Sequence, residues 1–159
     1  RPIRGYNLEA SISIGFFAVF IGLSLWLAQG EHGWGMLSLL PVHLAQAICL
    51  LLLAVNLAVA AAALQGLGDS WRVGVIEEQR ISLVESGIYR FSRNPYFVSY
   101  MLMFVAYTIL LQSTALLALS LIGFALIHWM VRREEIYLAR LHPREYARYC
   151  QRVPRYLIK

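Results

Sequence analysis

The chain has 159 residues, of which 59% are hydrophobic and 14% are charged, and this composition lies well outside the range of soluble globular proteins. It indicates an integral membrane protein with a single domain. The formal net charge of +5 would suit a nucleic-acid partner, but the placement of the charges argues against one. All fourteen Lys and Arg residues fall at 1–4, 72–93 and 132–159.

The connections around residues 31–41 and 112–114 carry no Lys or Arg. This asymmetry follows the positive-inside rule, so both termini, the central loop and the tail are expected on the cytosolic side. The basic residues then serve as topology signals and as contacts to anionic lipid. The expected partner is therefore the lipid bilayer, and no nucleic acid is expected.

Three long runs contain no Asp, Glu, Lys or Arg; they are residues 10–30, 44–68 and 94–131. About 20 apolar residues cross a bilayer as a helix, so each of the first two runs predicts one span. The third run, as one helix, would be roughly twice as long as the hydrocarbon layer is thick. The polar residues at 112–114 lie at its middle, which predicts two short helices in a tight hairpin. The fold class predicted is an all-α integral membrane protein with four transmembrane helices. These helices span about 10–29, 43–66, 96–112 and 114–132.

The organisation expected is one membrane domain over residues 1–159. Residues 1–66 would be scaffold helices, and residues 67–156 would form the catalytic region with a cytosolic loop and C-terminal helices. Within that region Asn94-Pro95 predicts a helix start, because asparagine caps free N–H groups and proline suits the first helical position. Arg93 then lies beside a helix N-terminus, which favours an anion such as a carboxylate or phosphate.

A row of titratable residues leaves the membrane on the last predicted span. His128, Arg132 and Glu135 are spaced i, i+4 and i+7, so they share one helix face. Ionisable groups at this depth usually line a cavity, and the alternative is a snorkelling arginine with a lipid-facing histidine. Beyond Pro143 a basic aromatic helix either lies on the membrane surface or folds back over residues 69–92.

The two cysteines, Cys49 and Cys150, are too far apart in this topology to pair. No CxxC or Cys/His spacing suggests a metal site. Both thiols are therefore expected to be structural.

Three strings in order resemble the isoprenylcysteine carboxyl methyltransferase family and its phospholipid N-methyltransferase relatives: LVESGIYRFSRNPYF at 83–97, EEIYL at 134–138 and EYARYCQRVPR at 145–155. The resemblance implies that the protein binds S-adenosylmethionine at the cytosolic face and that a lipophilic acceptor enters from the bilayer. It departs from the family at Asn94, where many members have histidine, and at Phe97, where they have tyrosine. The cofactor contacts that it implies are Ile81, Ser82, Leu83, Val84, Tyr89, Arg93, Asn94, Pro95, Tyr96, Phe97, Glu134 and Glu135.

The chemistry of this cofactor agrees with those residues. Its sulfonium and ammonium groups need an acid, which Glu134 or Glu135 supplies, and its carboxylate needs an arginine, which Arg93 supplies. A carboxylate or thiolate acceptor needs only orientation, for which Arg132 and Arg133 are candidates. An amine acceptor must first lose a proton, and His128 is then the candidate base.

Two other functions remain open from the sequence. A reductase similar to the NADPH-dependent sterol reductases would share the tail pattern Tyr-Cys-x-x-Val-Pro at 149–154. A non-catalytic lipid-binding membrane protein would account for the departures at Asn94 and Phe97.

Overall fold

The computed structural model describes residues 3–30, 37–68 and 83–158, with only the backbone at 3–10. These parts of the chain form helices and short connections, without a β-strand. A single 3₁₀ turn at Gly87–Arg90 precedes the third helix. The α-helices of the described residues are α1 (Ile3–Ala28), α2 (Val42–Leu67), α3 (Pro95–Leu111), α4 (Thr114–Leu141) and α5 (Pro143–Arg152).

Three of these helices, α1, α2 and α4, are long and apolar enough to cross a membrane, and α3 is shorter at 17 residues. At most 28% of each long apolar window is buried inside the protein. Apolar side chains that find no cover within the protein require a lipid environment. The predicted all-helical membrane fold is therefore confirmed, with three helices that meet the length for a span.

The helix bounds follow the predicted ones closely at α2 and α3. The helix α3 starts at Pro95, as the Asn94-Pro95 pair predicts. The Asn94 carbonyl accepts a hydrogen bond from the Val98 N–H at 3.1 Å. By contrast, α1 begins seven residues before its predicted span. The helix α4 continues beyond its predicted span and ends at Leu141, two residues before Pro143. A helix need not stop where its apolar stretch stops, because its backbone hydrogen bonds are internal.

The chain divides into two compact units, one of Arg1–Leu53 with Met101–Leu126 and the other of Ala54–Tyr100 with Ile127–Lys159. In the first unit an aromatic cluster joins α1, α3 and α4. The Phe104 ring is fully buried, with centroids 4.9 Å from Phe20, 5.7 Å from Phe16 and 5.8 Å from Phe124. Gly123 leaves room for these rings, since a Cβ there would lie 2.6 Å from Phe104 and 2.8 Å from Phe16.

The polar break between α3 and α4 has a structural task in the same unit. Gln112 turns the chain with a φ of 43°, and its side-chain oxygen accepts the N–H groups of Leu39 and Leu40 at 2.8 Å each. Its amide nitrogen donates to the Leu40 carbonyl at 2.9 Å. Backbone groups near lipid need such partners, so one glutamine satisfies three of them in the connection before α2.

The second unit brings the tail onto the segment before α3. The Tyr149 hydroxyl donates to the Tyr89 carbonyl at 2.7 Å, and Leu83 packs against the cluster of Tyr146, Tyr149 and Val153. For the described residues the folded-back tail is therefore confirmed over the alternative of a tail that only lies on lipid. Cys150 packs against that cluster, and it and Cys49 are both free thiols.

Candidate functional site

Glu135 on α4 joins three segments of the second unit. Its Oε1 lies 3.1 Å from Arg93 Nη2, and its Oε2 lies 2.9 Å from Arg155 Nε. Asn94 Nδ2 also donates to Oε1 at 3.3 Å. Glu135 is buried, and because two guanidinium groups share one carboxylate, the cluster keeps a net positive charge of one.

The backbone on both sides of the cluster explains why these residues meet. The Arg93 N–H donates to the Pro154 carbonyl at 3.0 Å, so the residues before α3 run beside those after α5. The Arg155 carbonyl accepts from Asn94 Nδ2 at 3.1 Å and from Ser92 Oγ at 3.3 Å. The segment after α5 is thereby fixed against the N-terminus of α3, and Arg155 can reach Glu135.

Arg93 is only partly used by this cluster. Its Nη2 holds Glu135, and its Cζ lies 5.9 Å from the centre of the Tyr146 ring. Its Nε is buried and has no hydrogen-bond partner among the described residues. A buried donor without a partner costs about 1–3 kcal/mol, which favours a ligand that accepts from it.

Glu134, the neighbour of Glu135, is the acid that remains available. It is exposed and forms no ion pair within the part of the chain that the structure describes. Burial raises the pKa of the Tyr89 phenol far above its ordinary value, and the Glu134 carboxylate raises it further. Tyr89 is therefore a neutral phenol within the electrostatic reach of Glu134.

Two more tyrosines line this region as neutral phenols. Burial is the main cause that raises the pKa of Tyr146, followed by the Glu135 carboxylate. Burial and then Glu85 raise the pKa of Tyr149. Both phenols stay protonated at neutral pH, and the Tyr149 hydroxyl donates to the Tyr89 carbonyl.

A small surface cavity of about 200 Å³ lies nearby, lined by Glu85, Arg90, Tyr149, Arg152 and Val153. Glu85 and Arg152 form an ion pair across it at 2.6 Å. Ligand pockets usually hold about 300 Å³ or more, so this cavity fits only part of a cofactor. The predicted contacts Leu83 and Val84 precede its lining residue Glu85 in the chain, whereas Ile81 and Ser82 lie outside the described residues.

The other predicted cofactor contacts lie on the first turn of α3. Pro95 is fully buried, and Phe97 is half-buried. The Tyr96 hydroxyl accepts from the Tyr100 hydroxyl at 3.0 Å. Pro95, Tyr96 and Phe97 directly follow Arg93 and Asn94 in the chain. Among the described residues, no contact joins these three to Glu134.

The predicted catalytic residues His128, Arg132 and Arg133 all lie on α4, but their surroundings differ. His128 Nδ1 lies 3.0 Å from the Tyr156 hydroxyl. Arg133 stacks over the Trp129 ring, with Cζ 5.2 Å from the ring centre, and Arg132 is exposed. His128 and Glu135 do not contact each other; each binds one of two adjacent tail residues, Tyr156 and Arg155.

Sequence reasoning did not single out Arg155 or Tyr156. The string EYARYCQRVPR ends at Arg155, so this arginine carried a signal, but nothing local indicated that it would bind Glu135. Tyr156 lies one residue beyond the string. Only the position of the tail beside α4 assigns it a partner.

Long apolar helices that are little buried, with a charged cluster near the end of one of them, define an integral membrane protein with a polar site close to the membrane surface. A family model for phospholipid methyltransferase matches residues 44–145, which are 102 of the 159 residues. The chain belongs to the phospholipid methyltransferase family and is a membrane methyltransferase. No curated protein matches the chain significantly.

Proposed function

We propose that the protein transfers a methyl group from S-adenosylmethionine to a lipophilic acceptor of the bilayer, at the cytosolic end of α4. The observation that carries this proposal is the pairing of Arg93 with Glu135. It neutralises the second acid of the Glu-Glu motif and leaves Glu134 as the acid available to a ligand. It also leaves the buried Arg93 Nε without a partner among the described residues.

This donor set fits the cofactor. S-adenosylmethionine, when bound, supplies a methyl group on a positively charged sulfur. Glu134 would hold the cationic part of the molecule, and the Arg93 Nε would donate to its carboxylate. Asn94 holds Glu135 through its amide, so we assign it to positioning of the cluster. Leu83, Val84, Tyr89, Tyr96 and Phe97 remain the proposed walls of the site, with Ile81 and Ser82.

We assign the acceptor to the phospholipid amines, which the family match favours over a prenylcysteine-type carboxylate or a thiol. A phospholipid ammonium group must lose its proton before its nitrogen can attack carbon. His128 is exposed near the end of the apolar part of α4. With Nδ1–H donating to Tyr156, its Nε2 lone pair is available to take that proton. Arg132 and Arg133 would instead orient a carboxylate acceptor.

We also propose that α3 crosses the membrane as a fourth span. Its 17 residues are about 26 Å long, close to the hydrocarbon thickness of about 30 Å. It is separated from α4 by two residues, and Thr108 and Ser120 hydrogen-bond across that connection at 2.8 Å. The two helices would then form a hairpin, with both termini of the chain on the cytosolic side.

Calorimetric titration of the purified protein with S-adenosylhomocysteine, and in parallel with NADPH, tests the cofactor. We expect binding of the first and none of the second. Glu134→Gln should weaken binding about tenfold, near 1.4 kcal/mol, because an ammonium partner is lost. Glu145→Gln, which changes an exposed acid on α5, is the matched control and should bind as the native protein does. Native affinity in Glu134→Gln would refute the assignment.

Methyl transfer from a labelled donor to a phospholipid amine, a prenylcysteine and a lipophilic thiol tests the acceptor. We expect label in the phospholipid, and loss of that transfer in His128→Ala with cofactor binding unchanged. Transfer to the prenylcysteine alone would instead favour Arg132 or Arg133 as the orienting residue.

A further inference from the structure

The segment that follows α5 returns along α4 toward the membrane. Arg155 binds Glu135, and the next residue, Tyr156, binds His128. These two partners are seven residues apart on α4, which is about 10 Å along the helix axis. Successive residues of the tail thus contact α4 at positions progressively closer to its apolar part.

The depth of His128 follows from the sequence of α4. The helix begins at Thr114, and its first charged residue is Arg132, after 18 residues without a charge. About 20 apolar residues cross the hydrocarbon layer, so the layer ends near Arg132. His128 lies four residues before that point, about 6 Å deeper along the axis. Tyr156 is therefore held at the boundary between hydrocarbon and headgroups.

A second marker supports this depth. Trp129, next to His128, is 41% exposed and stacks with Arg133. Tryptophan and tyrosine concentrate at the membrane–water interface, because an apolar ring and a polar edge suit the headgroup level. Trp129 on α4 and Tyr156 on the tail thus fit the same layer.

The two residues after Tyr156 are large, apolar and uncovered. Leu157 is 65% exposed and Ile158 is 87% exposed. We propose that residues 156–158 form an interfacial anchor that inserts Leu157 and Ile158 into the leaflet where α4 ends. Lipid is the occupant that continuity with the membrane-crossing part of α4 indicates.

Spin-label accessibility tests the anchor in lipid nanodiscs. A label at Leu157→Cys or Ile158→Cys, in a Cys49→Ala, Cys150→Ser background, should be severalfold more accessible to oxygen than to a water-soluble nickel complex. The matched control is Arg148→Cys, on an exposed position of α5, which should show the reverse. Water-like accessibility at both 157 and 158 would overturn the proposal.

A photo-crosslinking residue at position 157 gives the same test with both native cysteines kept. Covalent attachment to lipid is the expected result. A covalent dimer would show that a second copy of the chain covers these residues, and it would overturn the proposal, as would the absence of any adduct with lipid.

Discussion

At the scale of single residues, Glu134 and Glu135 have different environments, although the sequence alone does not distinguish them. Glu135 is buried and shared by two arginines, whereas Glu134 is exposed beside it. Neighbours on a helix point about 100° apart, so one acid can face the protein while the other faces a ligand. The ion pairs therefore indicate a stabilising role for Glu135, and Glu134 is the acid to which our proposal gives ligand binding.

This division predicts opposite effects for the two amide variants. Glu135→Gln should lower the free energy of unfolding by about 3–5 kcal/mol, because Arg93 would remain buried without its counter-charge. Glu134→Gln should change it by less than about 0.5 kcal/mol, as surface substitutions usually do. Thermal unfolding of both variants in the same detergent measures the difference. Equal melting temperatures would contradict the assignment of Glu135 to the cluster.

The sequence predicted three members of this cluster, Arg93, Asn94 and Glu135, but neither Arg155 nor the pairing. Arg93, Asn94 and the two acids were recognised from local strings and helix-start chemistry. Their partners depend on which segments pack together, and the partners of Asn94 lie 41 and 61 residues away in the chain. Arg93 was expected to remain free for an anion, whereas its Nη2 is already bound to Glu135.

At the scale of helices, the packing of α4 in the first unit depends on the absence of a side chain at Gly123. The nearest ring atoms belong to Phe104 and Phe16, both on other helices. Small residues permit this kind of close approach between membrane helices. The aromatic cluster therefore packs into space that any larger residue would fill.

Gly123→Ala should destabilise the protein by about 1–3 kcal/mol, because the two phenylalanine rings must move. Gly22→Ala is the matched control, since a Cβ at this helical glycine meets nothing within 4 Å. Alanine is the better helix former by about 1 kcal/mol, so the control should be neutral or stabilising. Thermal unfolding in detergent compares the two, and an equal loss in both would refute the packing argument.

The helix bounds show where local signals suffice. The end of α3 and the start of α4 follow from the polar break, and the start of α3 follows from Asn94-Pro95. The contacts of α5 could not be predicted, because the Tyr149 hydroxyl reaches the Tyr89 carbonyl 60 residues away. Gln112 was predicted only as a break, since its bonds to Leu39 and Leu40 depend on how another connection approaches it.

At the scale of the whole molecule, the charge asymmetry and the fourth span lead to one prediction. If α3 crosses the membrane, the connections at 31–41 and 112–113 lie on the side opposite to the central loop and tail. In a Cys49→Ala, Cys150→Ser background, a membrane-impermeant thiol reagent applied from the non-cytosolic side should then label cysteines placed at Gly33 and at Thr114, an exposed position at the start of α4. A cysteine at Arg148 should react only after the membrane is opened. Labelling of position 114 only in opened membranes would leave three spans.

The long sequence separation of the contacts around Glu135 also bears on the order of assembly. The helices form from neighbouring residues within about a microsecond, but the partners of Asn94, which are 41 and 61 residues away, must wait for slower chain closure. A chain can therefore hold all its helices in the bilayer before Asn94 meets Glu135 and the Arg155 carbonyl. A measurement of helical content alone would therefore not distinguish such an immature chain from the folded protein. The contacts between the tail and the segment before α3 form only when the site has assembled.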